Sequence, residues 1–302
     1  MRVDPYYTTN LVSALDKTTA NIQQLTSEES SGVRVTSLSD DPVASGQNVS
    51  LLNEIQQDDT FTTNASTVTG QLQVADSTLG SVVSELTSAI SLATSANNGT
   101  MNSDNVKSIS TQISGILDSV LSAANTSYEG SYIFAGTDST TTPFTQTTTT
   151  SPQTTTYNGD NNVNYLETPS GQKIQLNVSG SQIFQGSGTN SVFGALNALI
   201  ADYSSGTVNT AQAVSDTTAL STALNYVSQQ RVTIDNSINQ VSAASTAVTN
   251  VKTQLTAAQT NLMQADTATI ATKLSTAETQ QTSLEDIIAT LDSTSNTLFS
   301  KL

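Results

Sequence analysis

The last third of the chain carries residues at alternating steps of four and three: Ile270, Leu274, Ala277, Gln281, Leu284, Ile288, Leu291, Ser295, Leu298 and Leu302. Such spacing is a heptad seam, which turns one apolar stripe of a helix toward another helix. Leu11, Leu15, Thr18, Ile22 and Leu25 repeat it near the N-terminus. The pattern predicts two terminal amphipathic helices that meet in space. A lone pair of helices about 20 residues long buries one stripe and is marginal by itself, so the seams are expected to pack between molecules as well. The expected assembly interface is Leu11, Leu15, Ile22, Leu25, Leu284, Ile288, Leu291, Leu298 and Leu302.

Between these ends the period changes several times. Residues 7–29 read as a first helix, broken at Ser30-Ser31-Gly32. Asp41 is a good N-cap, and Pro42 suits the first helical position because its missing N–H costs nothing there. A long helix is therefore expected from Pro42 to about Ala96, with a seam at Val68, Leu72, Ala75, Leu79, Val82, Leu86, Ala89 and Ala93. Asn97-Asn98-Gly99 ends it. A third helix over 103–126 carries Val106, Ile109, Ile113, Ile116 and Val120, and the short turn predicts an antiparallel hairpin with the second. Residues 138–190 read as a small β-rich insertion. Pro143 and Pro152 interrupt its Thr-rich start, Tyr157-Asn158-Gly159-Asp160 signals a tight turn, and Ile174, Leu176 and Val178 alternate with polar residues. A short helix is expected at 191–203. From about Asp216 the helical period resumes through Val227, Ile234, Val241, Val248 and Leu262 to Ala265, and its phase slips near Asp266, which marks a break between two helices. The order nests: the N- and C-terminal thirds are expected to meet in space and the middle to project away.

Composition narrows the class. Only 11% of the 302 residues are charged and 35% are hydrophobic. That supply of apolar side chains suits thin helical bundles, whose layers each need one narrow stripe, better than a thick core. The net charge is −16, with nine scattered basic residues. Nucleic-acid and anionic membrane surfaces call for clustered Lys and Arg, so neither is an expected partner. No run of about 18 apolar residues is present to span a bilayer. Met1–Asn10 lacks the apolar segment of a secretory leader, so any export is expected to proceed without a cleaved leader.

The chain has no Cys and no His. That excludes disulfides, thiol nucleophiles and imidazole acid–base chemistry at once. Adjacent carboxylates on a helix do not face each other. Asp40-Asp41 reads as a cap, and Asp58-Asp59 as a solvated face. Gly186-Ser187-Gly188 lacks the lysine and the strand–helix frame of a phosphate loop. Asp160 with its Asn neighbours reads as a self-bonded turn rather than a calcium loop. No catalytic, cofactor or metal site is expected. The Thr-rich segment also allows an adhesin or glycan-binding reading, for which only Tyr157, Tyr165 and Phe184 offer aromatic lining.

Several stretches, in order and over nearly the whole chain, resemble the bacterial flagellin superfamily, and within it the hook–filament junction type. Ser30-Ser31-Gly32-Val33-Arg34-Val35 followed by Ser39-Asp40-Asp41-Pro42 resembles its N-terminal signature; Ser31, Gly32, Arg34, Asp40, Asp41 and Pro42 carry the match. Asn98-Gly99-Thr100, Tyr132-Ile133-Phe134-Ala135-Gly136-Thr137, Tyr157-Asn158-Gly159-Asp160 and the ending Ser295–Leu302 add to it. The resemblance implies a mainly α fold: a helical rod and coiled coil formed by the N- and C-terminal segments, with a small β-rich insertion. Its parts would be an inner coiled coil (1–40 and 266–302), a rod (41–137 and 204–265) and an outer insertion (138–203). It implies a non-catalytic axial protein of the extracellular flagellum, exported by the flagellar type III route. The implied partners are further copies of itself in a ring, the preceding hook-associated protein, flagellin and an export chaperone. The filament subunit, flagellin itself, is the alternative within the superfamily.

Overall fold

A computed structural model describes residues 5–147, 153–185 and 191–299. Six helices account for most of them: α1 (Pro5–Ser31), α2 (Pro42–Asn97), α3 (Ser103–Ala124), α4 (Val192–Ser204), α5 (Thr210–Met263) and α6 (Thr267–Phe299). The caps explain the boundaries. The Asp41 carboxylate accepts from Ala44 N at 2.9 Å, so α2 opens at Pro42 as expected. Asn102 accepts from Asn105 N and opens α3; Ser191 accepts from Gly194 N and opens α4. The phase slip near Asp266 is a real break. Asp266 accepts from Ala268 N at 3.1 Å and from Thr269 N at 3.2 Å, and so starts α6 as a new helix.

The strands form three separate antiparallel hairpins: β1 (Ser127–Tyr128) with β2 (Ser131–Tyr132), β3 (Phe144–Thr147) with β4 (Thr154–Tyr157), and β5 (Tyr165–Glu167) with β6 (Lys173–Gln175). Registers are Phe144 opposite Tyr157 and Leu166 opposite Ile174. A five-residue π-helical turn, Ser181–Gln185, buries Ile183 and Phe184.

The chain divides into two compact units, Met1–Gln56 with Val251–Leu302, and Gln57–Asn250. The second has a continuous core. Leu79, Val82 and Leu86 of α2, Ile113 and Val120 of α3, Leu196 and Leu199 of α4, and Val227 and Val241 of α5 are all buried in it. Phe134, Phe144, Phe184 and Phe193 extend that core under the hairpins, with ring centroids 5.1–5.8 Å apart. The Arg231 guanidinium on α5 donates to both oxygens of Asp76 on α2, at 2.8 and 3.1 Å.

Two expectations are overturned. The alternation expected through Leu176 and Val178 stops at Gln175, because Asn177 is buried and its side chain takes over the pairing: it accepts from Asn164 N at 2.7 Å and donates to Asn162 O at 3.2 Å. The tight turn signalled at Tyr157-Asn158-Gly159-Asp160 is a bend that follows β4, which pairs back to β3. Glycine is needed at 159 for close approach, as a Cβ there would lie 2.6 Å from Ala135 O. Asp58 is not solvated. It lies three and seven residues before Phe61 and Ala65, on the same buried stripe, and is 4% exposed. Gly186-Ser187-Gly188 and Pro152 lie outside the described residues.

Candidate assembly interface

The first unit is built on α1 and α6. They pack along each other through the predicted seams. At one end the contact is dry: Leu25, Ala265, Ile270 and Ala277 form a small buried cluster, with Ile22 and Leu274 packed against it. Farther along each helix burial falls. Leu11, Leu15, Leu284, Ile288 and Leu291 are only half-buried, although the positions between them are mostly exposed. The stripes therefore face inward as the spacing requires, and two helices alone do not enclose them. Each seam position keeps part of its apolar surface in water, at about 25 cal/mol per Å². The side chain of Leu298 and the whole of Leu302 lie outside the described residues.

The six signature residues fall together in one short segment that ties α1, α2, α5 and α6. Gly32 takes φ +68° and ends α1, its N–H donating to Glu28 O at 2.9 Å. Ser31 Oγ accepts from Val33 N at 3.2 Å. Val33 then makes an antiparallel bridge with Gln264, in the break between α5 and α6. Arg34 N donates to Met263 O at 2.7 Å, and Ala265 N donates to Gly32 O at 2.9 Å. The Arg34 side chain divides its donors. One nitrogen lies 3.1 Å from the Asp41 carboxylate and the other 3.4 Å from Leu262 O, at the C-terminal end of α5, where a cation complements the helix dipole.

Asp40 closes the next turn, accepting from Thr36 N at 3.0 Å and Ser37 N at 2.7 Å. The Ser37 hydroxyl is the largest cause holding its carboxyl below the usual range. Asp41 is held low first by the Ala44 N–H and then by Arg34. Asp266 is held low by Thr269, whose hydroxyl and N–H it accepts. These three carboxylates are thus fixed as acceptors. The capping roles of Asp41 and Pro42 were legible in the sequence. The reach of Arg34 to the far end of α5 was not, because nothing local encodes a contact across 228 residues. Asp266 could have been found as a helix start from Asp-Thr-Ala-Thr.

A second set of residues also escaped the spacing. Leu38 and Val43 are 70% and 71% exposed, and Val49 and Leu52 on α2 are exposed too. They show no heptad repeat. Among the described residues no group of three or more carboxylates could hold a metal ion, and no helix is long and apolar enough to cross a membrane.

Residues 6–139 match the model of the bacterial flagellin N-terminal helical region, which spans α1 to the end of the β1–β2 hairpin and beyond. These residues are similar to that flagellin region. Over 182 residues it is 30% identical to flagellar hook-associated protein 3 of Salmonella typhimurium, covering 60% of this chain and 56% of that protein. Over 118 residues it is 36% identical to flagellar hook-associated protein 3 of Escherichia coli, covering 39% of this chain and 37% of that one. The matches thus span about half of the first relative and less of the second. Among solved structures, the flagellar junction protein FlgL from Legionella pneumophila superposes with a TM-score of 0.58 at 16% identity, over 72% of this chain and 100% of that one. The flagellin-like, mainly helical fold expected from the sequence is the fold found, and Ser31–Pro42 is the segment that ties α1 to α2.

Proposed function

We propose that this chain is a structural, non-catalytic axial protein of the bacterial flagellum, joining the hook, through the preceding hook-associated protein, to the flagellin filament. The observation that carries the reading is the half-burial of Leu11, Leu15, Leu284, Ile288 and Leu291, in a chain similar over part of its length to hook-associated proteins. Neighbouring copies in a ring would supply the missing side of the coiled coil. Full burial of an aliphatic side chain is worth roughly 1.5–3 kcal/mol relative to exposure. Completing five half-buried positions therefore yields a sizeable part of an association free energy. In this reading 1–40 and 266–302 form the inner coiled coil, 41–137 and 204–265 the rod, and 138–203 the outer insertion. Before export, a chaperone would cover the C-terminal helix, whose seam would otherwise be left open.

The test is Leu291→Asp. A charge on the seam should leave the second unit folded, with a nearly unchanged helical circular dichroism spectrum, while abolishing assembly and swimming. Normal motility with the variant would refute the proposal. Labelling purified flagella with an antibody to residues 138–190 separates the junction role from the filament role. A single band at the hook end is expected, and decoration along the filament would mean flagellin.

A further inference from the structure

Asp202 lies in the last turn of α4, where backbone carbonyls point past the helix end and a carboxylate is disfavoured. Its partner in space is Asp216, in the second turn of α5, across the 205–209 connection. One Asp202 oxygen is shut off from solvent and has no hydrogen-bond partner. Asp216 is held in place by Gln212, whose Nε2 donates to both of its oxygens at 3.1 Å. The surrounding groups are mostly uncharged. Tyr203 is fully buried and donates to Asn97 Oδ1 of α2 at 2.9 Å, and Asn97 Nδ2 donates to Thr217 Oγ1 of α5 at 3.2 Å. From α3, the stem of Lys107 lies beside Gly206. Among the described residues no ion pair reaches either carboxylate.

Two facing carboxylates, one with a dry and unpartnered oxygen, are satisfied only if a proton sits between them. We propose that Asp202 and Asp216 share one proton and form an acid-closed latch joining the end of α4 to the start of α5. With the proton present, the Asp202 hydroxyl donates to the Asp216 carboxylate. When the proton leaves to solvent, two like charges face each other in a partly desolvated site and the junction loosens. The latch lies wholly within the second unit and does not depend on the assembly reading.

Burial first, and the Asp216 carboxylate second, push the Asp202 carboxyl up to about 6 from 3.8. The folded state therefore holds the proton more tightly than the unfolded one. Its contribution to stability is full in acid, declines as pH rises from about 4 to about 6, and is gone above that. The absence of histidine removes the usual titrating group from this range. Asp40, Asp41, Asp160 and Asp266 are all held low and titrate below it.

The test uses the full chain. Carboxyl-carbon NMR should show one aspartate titrating near pH 6, and Asp202→Asn should remove that signal. The melting point of the second unit should fall between mildly acidic and neutral pH. In Asp202→Asn and Asp216→Asn, where an amide donates permanently, it should stay flat. An Asp202 carboxyl titrating in the ordinary aspartate range, or a melting point with the same pH dependence in both Asn variants, would overturn the latch.

Discussion

Arg34 is exposed, yet it holds two elements at once: the Asp41 cap of α2 and the carbonyl end of α5. Replacing it by Ala removes both contacts and leaves the backbone bridge of Val33 to Gln264 as the tie to the α5–α6 break. Arg34→Ala should therefore speed amide exchange at Ala265 and in the first turn of α6, with the second unit unchanged. Arg34→Lys should rescue only partly, because an ammonium is a point charge and does not fork toward two acceptors. Asp160 works in the same way elsewhere. It accepts from Thr137 N at 2.8 Å and Asn162 N at 3.0 Å, and also from the Thr137 hydroxyl. These bonds, the Thr137 hydroxyl first, lower its carboxyl to about 2. A lowered value favours the ionised form, so its contribution is present above the ordinary carboxylate range and is lost as pH falls from about 4 toward about 2. In Asp160→Asn that acid-dependent step should vanish from a melting-point series. An unchanged step would assign it to other carboxylates.

Helices whose stripes repeat every seven residues were legible because the signal is local: each turn of α2, α5 and α6 repeats the information of the last. Leu79, Val82 and Leu86 lie in the core at the positions their spacing demands, and Ile270 and Ala277 close on Leu25. The insertion was less legible. Its core is a meeting of Phe134, Phe144, Phe184 and Phe193, which are far apart in sequence, and its strands are three or four residues long outside the β1–β2 turn. So few residues carry no clear alternation, and the strand expected through Leu176 ends at Gln175 for that reason. The exposed Val43 and Leu52 were missed because scattered surface aliphatics leave no period. The contrast between helices predicts unequal costs. Leu79→Ala, at a fully buried position, should lower the stability of the second unit by about 2–5 kcal/mol in a denaturant titration. Leu284→Ala, at a half-buried seam position, should cost the isolated chain clearly less. If the two were equal, the α1–α6 seam would already be closed within one molecule.

At the scale of the whole molecule, two features oppose each other. In the proposed assembly the seams would favour association through short-range apolar contact, while a net charge of −16 makes any two copies repel. The charge is sparse, at 11% of residues, so few opposite charges are available to pair across an interface. Screening then sets the balance. The Debye length shrinks from about 30 Å at 0.01 M salt to about 3 Å at 1 M, which removes the repulsion, whereas burial of Leu11, Leu284 and Leu291 is not weakened by salt. Self-association of the purified chain, followed by sedimentation velocity, should therefore rise as ionic strength is raised over that range. Leu291→Asp should remain monomeric throughout. Association that weakened with salt would mean that charge pairs, and not the terminal stripes, hold the copies together, and the exposed remainder of the seam would need another explanation.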